Sequence, residues 1–341
     1  MWLSPGSGEL LRAMPKSSGA VEQSSTGPFV RVTVLTEAGP DIGYGHLARC
    51  VGLADAFLVR GLTPRLIVRG ETPAYLLGGH DVECLDWTSA TALDVIAGST
   101  DVIAVDSYTA SADVCERLAE AVSTCIWFDD EMREEYPGGI IVNGAPGVSR
   151  TAYAERPDAT LLLGTTYQVL RRSFWDTPPK KVRPQVERLL VMFGGTDVRG
   201  LAGAVIAALE ATHPGITIDA VREPRTAAEI RNAMLEADIA ISAGGQTLYE
   251  LAATGTPTIA VCVAENQDRQ ARAFAEAGVI RLVGSWSEPD IVEKLTVSVE
   301  AMGPAGVRHG MSSAGQELVD GRGALRVAQA AVDHARRVQA E

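Results

Sequence analysis

Apolar positions along this chain fall into short β-branched runs, separated by stretches in which they recur at i, i+3, i+4 and i+7. Val32-Thr33-Val34-Leu35 reads as a strand, and Leu47, Cys50, Val51, Ala54, Phe57 and Leu58 mark one stripe of the helix that follows. Further strands are predicted at 65–68, 102–106 and 124–128, the last ending in Asp129-Asp130, with a helical pattern over 111–121. Short apolar runs alternating with helices predict an α/β architecture built on a doubly wound parallel sheet.

Around 171–187 the texture changes. Pro178-Pro179-Lys180-Lys181-Val182-Arg183-Pro184 reads as a polar, proline-stiffened connector with little core potential. A second alternating series follows, with strands at 189–193, 216–221, 238–242 and 258–263 and helices at 201–209, 248–253 and 267–277. Thr226-Ala227-Ala228-Glu229 has the form of a capping box. The expected organisation is a disordered extension over 1–28, a Rossmann-like unit over 29–170, the connector over 171–187, a second Rossmann-like unit over 188–322 and a C-terminal helix over 323–341 that packs back across the hinge. Two such units facing each other predict a ligand cleft between them.

Composition narrows the class. With 341 residues, 46% of them hydrophobic and 21% charged, the chain carries enough apolar mass for two cores. A net charge of −13 without a dense basic block argues against non-specific binding to nucleic acid or anionic membranes, and an acidic surface is compatible with a monomer. No run approaches the roughly 18–20 apolar residues that span a bilayer. The five cysteines are odd in number and lack C-x-x-C spacing, which disfavours a disulfide framework or zinc knuckle and fits a reducing cytoplasm.

The candidate chemistry lies in loops at strand ends, where open α/β sheets hold their ligands. Gly43-Tyr44-Gly45-His46-Leu47-Ala48-Arg49 places a histidine at a helix start, framed by two glycines. It reads equally as a helix-start residue bonded to a carbonyl or as a neutral general base, since a helix N-terminus disfavours imidazolium. Gly194-Gly195-Thr196-Asp197 suits a phosphate or a capped tight turn. Ser242-Ala243-Gly244-Gly245-Gln246-Thr247-Leu248-Tyr249-Glu250 repeats the strand–glycine–helix pattern with hydroxyl and amide donors. There Thr247 and Glu250 suit a diphosphate and a ribose, or simply form a capping box. Asn266 and Gln267 end the next strand on the same sheet edge, suited to sugar hydroxyls or to capping. Asp106-Ser107-Tyr108 and Asp129-Asp130-Glu131 end two strands of the first unit and are expected to face the cleft. No histidine, third carboxylate or D-x-D spacing accompanies the aspartate pair, so neither a metal nor a cofactor is expected. His80, His213, His309 and His334 sit in polar or turn contexts and are expected to be solvated.

Taken in order, the glycine-framed histidine with Arg49, Val105-Asp106-Ser107-Tyr108, Trp127-Phe128-Asp129-Asp130, Leu163-Gly164-Thr165-Thr166-Tyr167-Gln168-Val169-Leu170-Arg171, Gly194–Asp197, the 242–250 stretch and Asn266-Gln267 resemble the PseG/SpsG family. The type member of that family is the UDP-sugar hydrolase of pseudaminic acid synthesis. The C-terminal half also resembles the MurG-type glycosyltransferases of the GT-B fold. The likeness covers about residues 30–285. It implies a GT-B architecture with uridine diphosphate in the C-terminal unit. Gly195, Gly244, Gly245 and Thr247 would lie at the diphosphate, Glu250 on the ribose, and Asn266 and Gln267 near the sugar and the departing phosphate. His46 matches the family's proposed catalytic base and Tyr108 its active-site tyrosine. The remaining motif positions, Gly43, Gly45, Arg49, Asp106, Asp130, Gly194, Thr196, Ser242 and Gln246, would line the substrate site.

The reaction so implied is attack of a His46-activated water on the anomeric carbon, with inversion and release of UDP. Two departures stand out. Gln246 replaces a serine or alanine, and Glu131-Met132-Arg133 replaces an apolar residue after the aspartate pair; both bear on the sugar and the base more than on the reaction type. Two alternatives remain open: a glycosyltransferase in which His46 deprotonates an acceptor hydroxyl, and an inactive nucleotide-sugar-binding module. A lipid-acceptor transferase calls for an apolar, basic-flanked patch on the first unit, and no such run is present, although Trp87 and Tyr75 have no assigned place.

Overall fold

The computed structural model describes residues 30–132, 136–153, 159–193, 197 and 199–340. The expectations for 1–28 and for Gly194, Gly195, Thr196 and Arg133 fall outside the described residues.

The first sheet holds seven parallel strands, β1 (Val32–Ala38), β2 (Arg65–Gly70), β3 (Val82–Cys84), β4 (Val102–Asp106), β5 (Thr124–Phe128), β6 (Ile140–Asn143) and β7 (Thr160–Leu163), in the order β3-β2-β1-β4-β5-β6-β7. The second holds β8 (Arg188–Met192), β9 (Thr217–Ala220), β10 (Ile239–Ala243), β11 (Thr258–Cys262) and β12 (Ile280–Ser285), in the order β12-β11-β10-β8-β9. Each chain path runs outward from a central strand and then crosses to its other side. The reversals fall between β1 and β4 in one sheet and between β8 and β10 in the other. These are topological switch points, where the loops beyond the strand ends diverge and leave a crevice.

Helices α1 (Gly45–Val59), α2 (Ala90–Ala97) and α3 (Ala112–Ala121) belong to the first unit. Helices α4 (Leu201–Thr212), α5 (Ala227–Glu236), α6 (Thr247–Ala253), α7 (Asp268–Glu276), α8 (Ile291–Ala301) and α9 (Ala305–Leu318) belong to the second. Successive strand residues alternate between two cores, as the pleat requires. Val34, Ala104, Ile126 and Phe128 face the α1 side, whereas Leu35, Ile103, Val105 and Trp127 face the α2–α3 side. In the second sheet Leu190 and Met192 face one core, and Leu189 and Val191 the other. Burial on both faces explains why these strands read as continuous apolar runs rather than as an alternation.

The last helix, α10 (Gly323–Ala340), returns to the first unit and buries Val327, Ala328, Ala331, Val332 and Ala335 against the α1 side of the first sheet. The crossing depends on absent side chains. A Cβ on Gly323 would sit 2.1 Å from the Gln168 carbonyl, and one on Gly52 of α1 would sit 2.5 Å from the Leu170 carbonyl. The 168–171 part of the motif segment thus passes in close contact with both α1 and α10.

The connector departs from its reading as a stretch with little core potential. Phe174 is fully buried in the second unit's core and Trp175 is buried in the first unit's, so adjacent side chains plug both. Lys180 donates from Nζ to the carbonyls of Met234 and Leu235 at 2.6 and 2.8 Å, satisfying the open end of α5. The capping box at Thr226–Glu229 is present at the start of α5. Strands β3, β6, β7 and β12 are absent from the sequence reading; β3, β6 and β7 have only three or four residues each, whereas β12 has six, four of them half-buried. Trp87 is wholly buried with its indole N–H on the Thr36 carbonyl at 2.7 Å, and so belongs to the core. The five cysteines are all free, and no helix of the described residues is long and apolar enough to cross a membrane.

Candidate active site

The first unit's switch point is occupied by His46. The loop after β1 turns back at Gly43, whose φ of +88° lies in the left-handed region that glycine enters at little cost, and α1 then starts at Gly45. His46 is the second helical residue and Arg49 follows at i+3, so both side chains lie on the same face. That face meets the C-terminal end of β4. His46 Nδ1 lies 2.6 Å from Asp106 Oδ1, and Arg49 grips the same carboxylate from Nε and Nη2 at 2.6 Å each. Arg49 Nη1 reaches Asp130 Oδ2, also at 2.6 Å.

Asp106 is therefore not a substrate ligand, because its carboxylate is 1% exposed and lies beneath the histidine. Burial opposes its ionisation, but Arg49 and then His46 outweigh that and hold the carboxyl well below the usual carboxylate range. An ionised Asp106 can only accept, so His46 Nδ1 carries the proton of this bond and Nε2 is the ring nitrogen it leaves unengaged. Tyr108, on the loop after β4, stands edge-on to the imidazole with ring centroids 4.2 Å apart and planes at 89°. Burial, then the neighbouring Asp130, raises its phenol above the ordinary range, so it stays protonated.

His46, Arg49, Tyr108, Asp130 and Glu131 line one wall of a cleft of about 840 Å³. Gly244, Gly245, Gln246, Thr247, Asn266 and Gln267 line the other. The predicted constellation is thus largely brought together, with four residues besides Asp106 placed differently. Ser242 is fully buried, its hydroxyl donating to the Ala243 carbonyl. Gly244 spends its N–H on the Val261 carbonyl of β11, and a Cβ there would stand 3.3 Å from Gln267, so its smallness serves the packing of α7. Glu250 lines no part of the cleft; its carboxylate is held by Arg171 Nε and Nη2 at 2.8 and 2.9 Å. It forms no capping box either, since α6 begins after Gln246 without a side-chain cap. Asp129, expected at the cleft, is buried and accepts from the Tyr153 hydroxyl at 3.0 Å.

Asp197 takes the helix-capping role. Its carboxylate accepts the Leu201 and Ala202 N–H groups of α4 at 3.0 and 2.8 Å. Among the other histidines, His80 is not solvated but paired with Asp55 at 3.0 Å, and His334 lies 3.0 Å from the Thr124 hydroxyl.

Several site residues carry no motif signal. Arg199 lines the cleft with its guanidinium 4.0 Å from the Trp286 ring and its Nε on the Val263 carbonyl. Arg269 also lines it and crosses to the Asp130 carbonyl at 2.6 Å, beside Asn266, which donates to Glu131 at 3.1 Å. Gln270 donates to the carbonyls of Gly244 and Gly245 at 3.0 Å each and accepts from the Tyr249 hydroxyl, clamping the glycine turn. A polar side chain one helical turn beyond Asn266 was the available sequence signal for Arg269 and Gln270. Past Gln246 and Thr247 the cleft adjoins a second cavity of about 570 Å³, lined by Tyr44, Tyr75, Arg171, Val221, Pro224 and Arg225 among others.

This geometry can be set beside known proteins. No family model matches the sequence. The chain is 25% identical over 256 residues to the spore coat polysaccharide biosynthesis protein SpsG of Bacillus subtilis, covering 67% of this chain and 75% of that protein. It is 23% identical over 280 residues to the Helicobacter pylori protein named pseudaminic acid cytidylyltransferase and UDP-2,4-diacetamido-2,4,6-trideoxy-beta-L-altropyranose hydrolase, covering 76% of this chain but only 50% of that one. The resemblance to SpsG and PseG holds. Among solved structures, Acinetobacter baumannii MurG superposes with a TM-score of 0.61 at 12% identity, covering 89% of this chain and 99% of that one. The S. aureus MnaA–UDP structure superposes with a TM-score of 0.64 at 11% identity, covering 91% and 98%. The fold is GT-B: two Rossmann-like sheets, of seven and five parallel strands, facing a cleft.

Proposed function

We propose that the protein is a nucleotide-sugar-processing enzyme of polysaccharide or glycoconjugate biosynthesis, and that its reaction is hydrolysis of a UDP-sugar to UDP and the free sugar. The polysaccharide role of SpsG and the hydrolase activity named for the Helicobacter relative support the class. The observation that carries base-assisted attack at the anomeric carbon is the Arg49–Asp106–His46 clamp, which holds the histidine at the cleft wall across from the glycine turn; the hydrolase named for the Helicobacter relative favours water as the nucleophile.

In this reading the second cavity takes the nucleoside, and the turn at Gly245–Thr247 takes the diphosphate. Arg199 and Arg269 supply positive charge that Arg49, already engaged by two carboxylates, does not. The sugar then lies against the first unit. His46 Nε2 accepts a proton from water as its oxygen bonds to the anomeric carbon. The C–O bond to the phosphate breaks on the opposite side, its electron pair leaves with UDP, and the anomeric centre inverts. Because Arg49 neutralises Asp106, the carboxylate orients the imidazole without leaving an uncompensated negative charge beside it.

The test is to incubate the protein with a panel of UDP-sugars in the absence of acceptor and follow UDP release. Turnover is expected, and His46→Ala should reduce it by ~10²–10⁴-fold while UDP still binds. Binding without turnover overturns the hydrolase. Turnover that needs an added alcohol identifies a transferase. A collapse of UDP affinity in His46→Ala makes the histidine a nucleotide ligand instead.

A further inference from the structure

A buried carboxylate that takes no part in the clamp lies beside it. Glu37 is fully buried at the C-terminal end of β1, next to Thr36, which pairs in register with Asp106 of β4. Its Oε1 accepts the backbone N–H of Tyr108 at 2.8 Å. Its Oε2 accepts the Ser107 hydroxyl at 2.9 Å, the Thr109 hydroxyl in a short bond, and Arg69 Nη2 at 3.2 Å. The Ser107 oxygen then accepts the N–H groups of Thr109 and Ala110, each at 3.0 Å. Three consecutive residues of the loop after β4 are thus wrapped around one carboxylate supplied by the neighbouring strand.

An apolar side chain would fill this core position at lower desolvation cost. A buried carboxylate is tolerated only while its donors stay in place, so it selects one loop conformation over others. That conformation sets the Tyr108 ring edge-on to His46, and the same strand end carries Asp106. We infer that Glu37 is a positioning residue for the catalytic wall, locking the 107–110 loop so that Tyr108 holds the His46 imidazole in the orientation set by Asp106. This rests on His46 acting as the base. It also accounts for Ser107 in the Val105–Tyr108 motif, whose hydroxyl points to Glu37 rather than to substrate.

The experiment compares Glu37→Ala and Glu37→Gln with the native chain in three readouts: kcat for UDP release, UDP affinity, and the NMR resonances of the His46 ring, which the adjacent tyrosine ring shifts. Glu37→Ala should lower kcat by ~100-fold, the scale of a loss of alignment, with UDP affinity within about twofold, because the nucleotide sits on the other unit. The His46 resonances should move. Glu37→Gln, which keeps the acceptor for the Tyr108 N–H, should recover roughly tenfold of the lost kcat. Should Glu37→Ala not fold, Ser107→Ala breaks the same link from the loop side and should show the same split. Unchanged kcat and unchanged His46 resonances overturn the proposal. So does an equal loss of kcat and UDP affinity without recovery in Glu37→Gln. If the native protein hydrolyses none of the sugars, the proposed function fails, and the movement or constancy of the His46 resonances still decides the role of Glu37.

Discussion

His46 Nδ1 and Asp106 Oδ1 stand 2.6 Å apart although 60 residues separate them in sequence. The pair joins the first turn of α1 to the end of β4 across the switch point of the first sheet. With Asp106 held ionised by Arg49, the histidine has one nitrogen committed and one free for chemistry.

Asp106→Asn should lower kcat by ~100-fold or more, because an amide does not enforce the same tautomer. Breaking this buried pair should also cost about 3 kcal/mol of stability, measured by chemical denaturation. The sign of the pH dependence follows from the lowered carboxyl. The folded state binds its proton less readily than the unfolded chain, so the stabilisation is complete above the unfolded carboxylate value of about 4 and is lost as pH falls further. The stability gap between native protein and variant should narrow as pH falls below about 4. A gap that stays constant there would contradict the ionised clamp.

Glu250 and Arg171 should act on the nucleotide as one unit. Glu250→Gln and Arg171→Ala are expected to weaken UDP binding by similar factors, with a coupling energy of about 1–3 kcal/mol in a double-mutant cycle. Additive effects, read by calorimetry, would mean that the carboxylate meets the ribose directly, as the family resemblance implies, and not through Arg171.

Two glycines in helices should respond in opposite directions. A Cβ on Gly52 meets the Leu170 carbonyl at 2.5 Å, so Gly52→Ala should destabilise by about 1–3 kcal/mol. Gly203 in α4 has open space within 4 Å, so Gly203→Ala should stabilise by about 0.5–1 kcal/mol through helix propensity. The Tm values of the two variants check both at once.

Lys180 offers a second pH dependence, of opposite origin. Burial lowers its ammonium to about 7, against the coulombic pull of Asp238. Between that value and the unfolded lysine value of about 10.4, the unfolded chain holds a proton that the folded chain lacks, so stability rises with pH. The stability of the native protein relative to Lys180→Met should therefore increase from pH 7 to pH 9.5. A constant difference would show that the ammonium stays charged on the carbonyls of α5.

Hydrophobic spacing alone determined the alternation of strands and helices, the parallel sheets and the existence of two units, because 3.6- and two-residue periods are local properties that survive in one dimension. Loop chemistry at strand ends likewise pointed His46 and Tyr108 to one wall and Asn266 and the glycine turn to the other, since parallel strands bring their C-terminal ends to one edge of each sheet and the two edges face the cleft. Only the tertiary structure decided what each polar group does there. Asp106 and Glu250 look alike in sequence as carboxylates near a ligand loop, yet Arg49 and Arg171 claim them from elements 57 and 79 residues away. Glu37 and the two crossing glycines, Gly52 and Gly323, carry no local signature, because their roles consist of contacts with segments far along the chain. Burial converts such contacts from optional to obligatory: a carboxylate out of water must find its donors, and two backbones in contact must leave out a side chain.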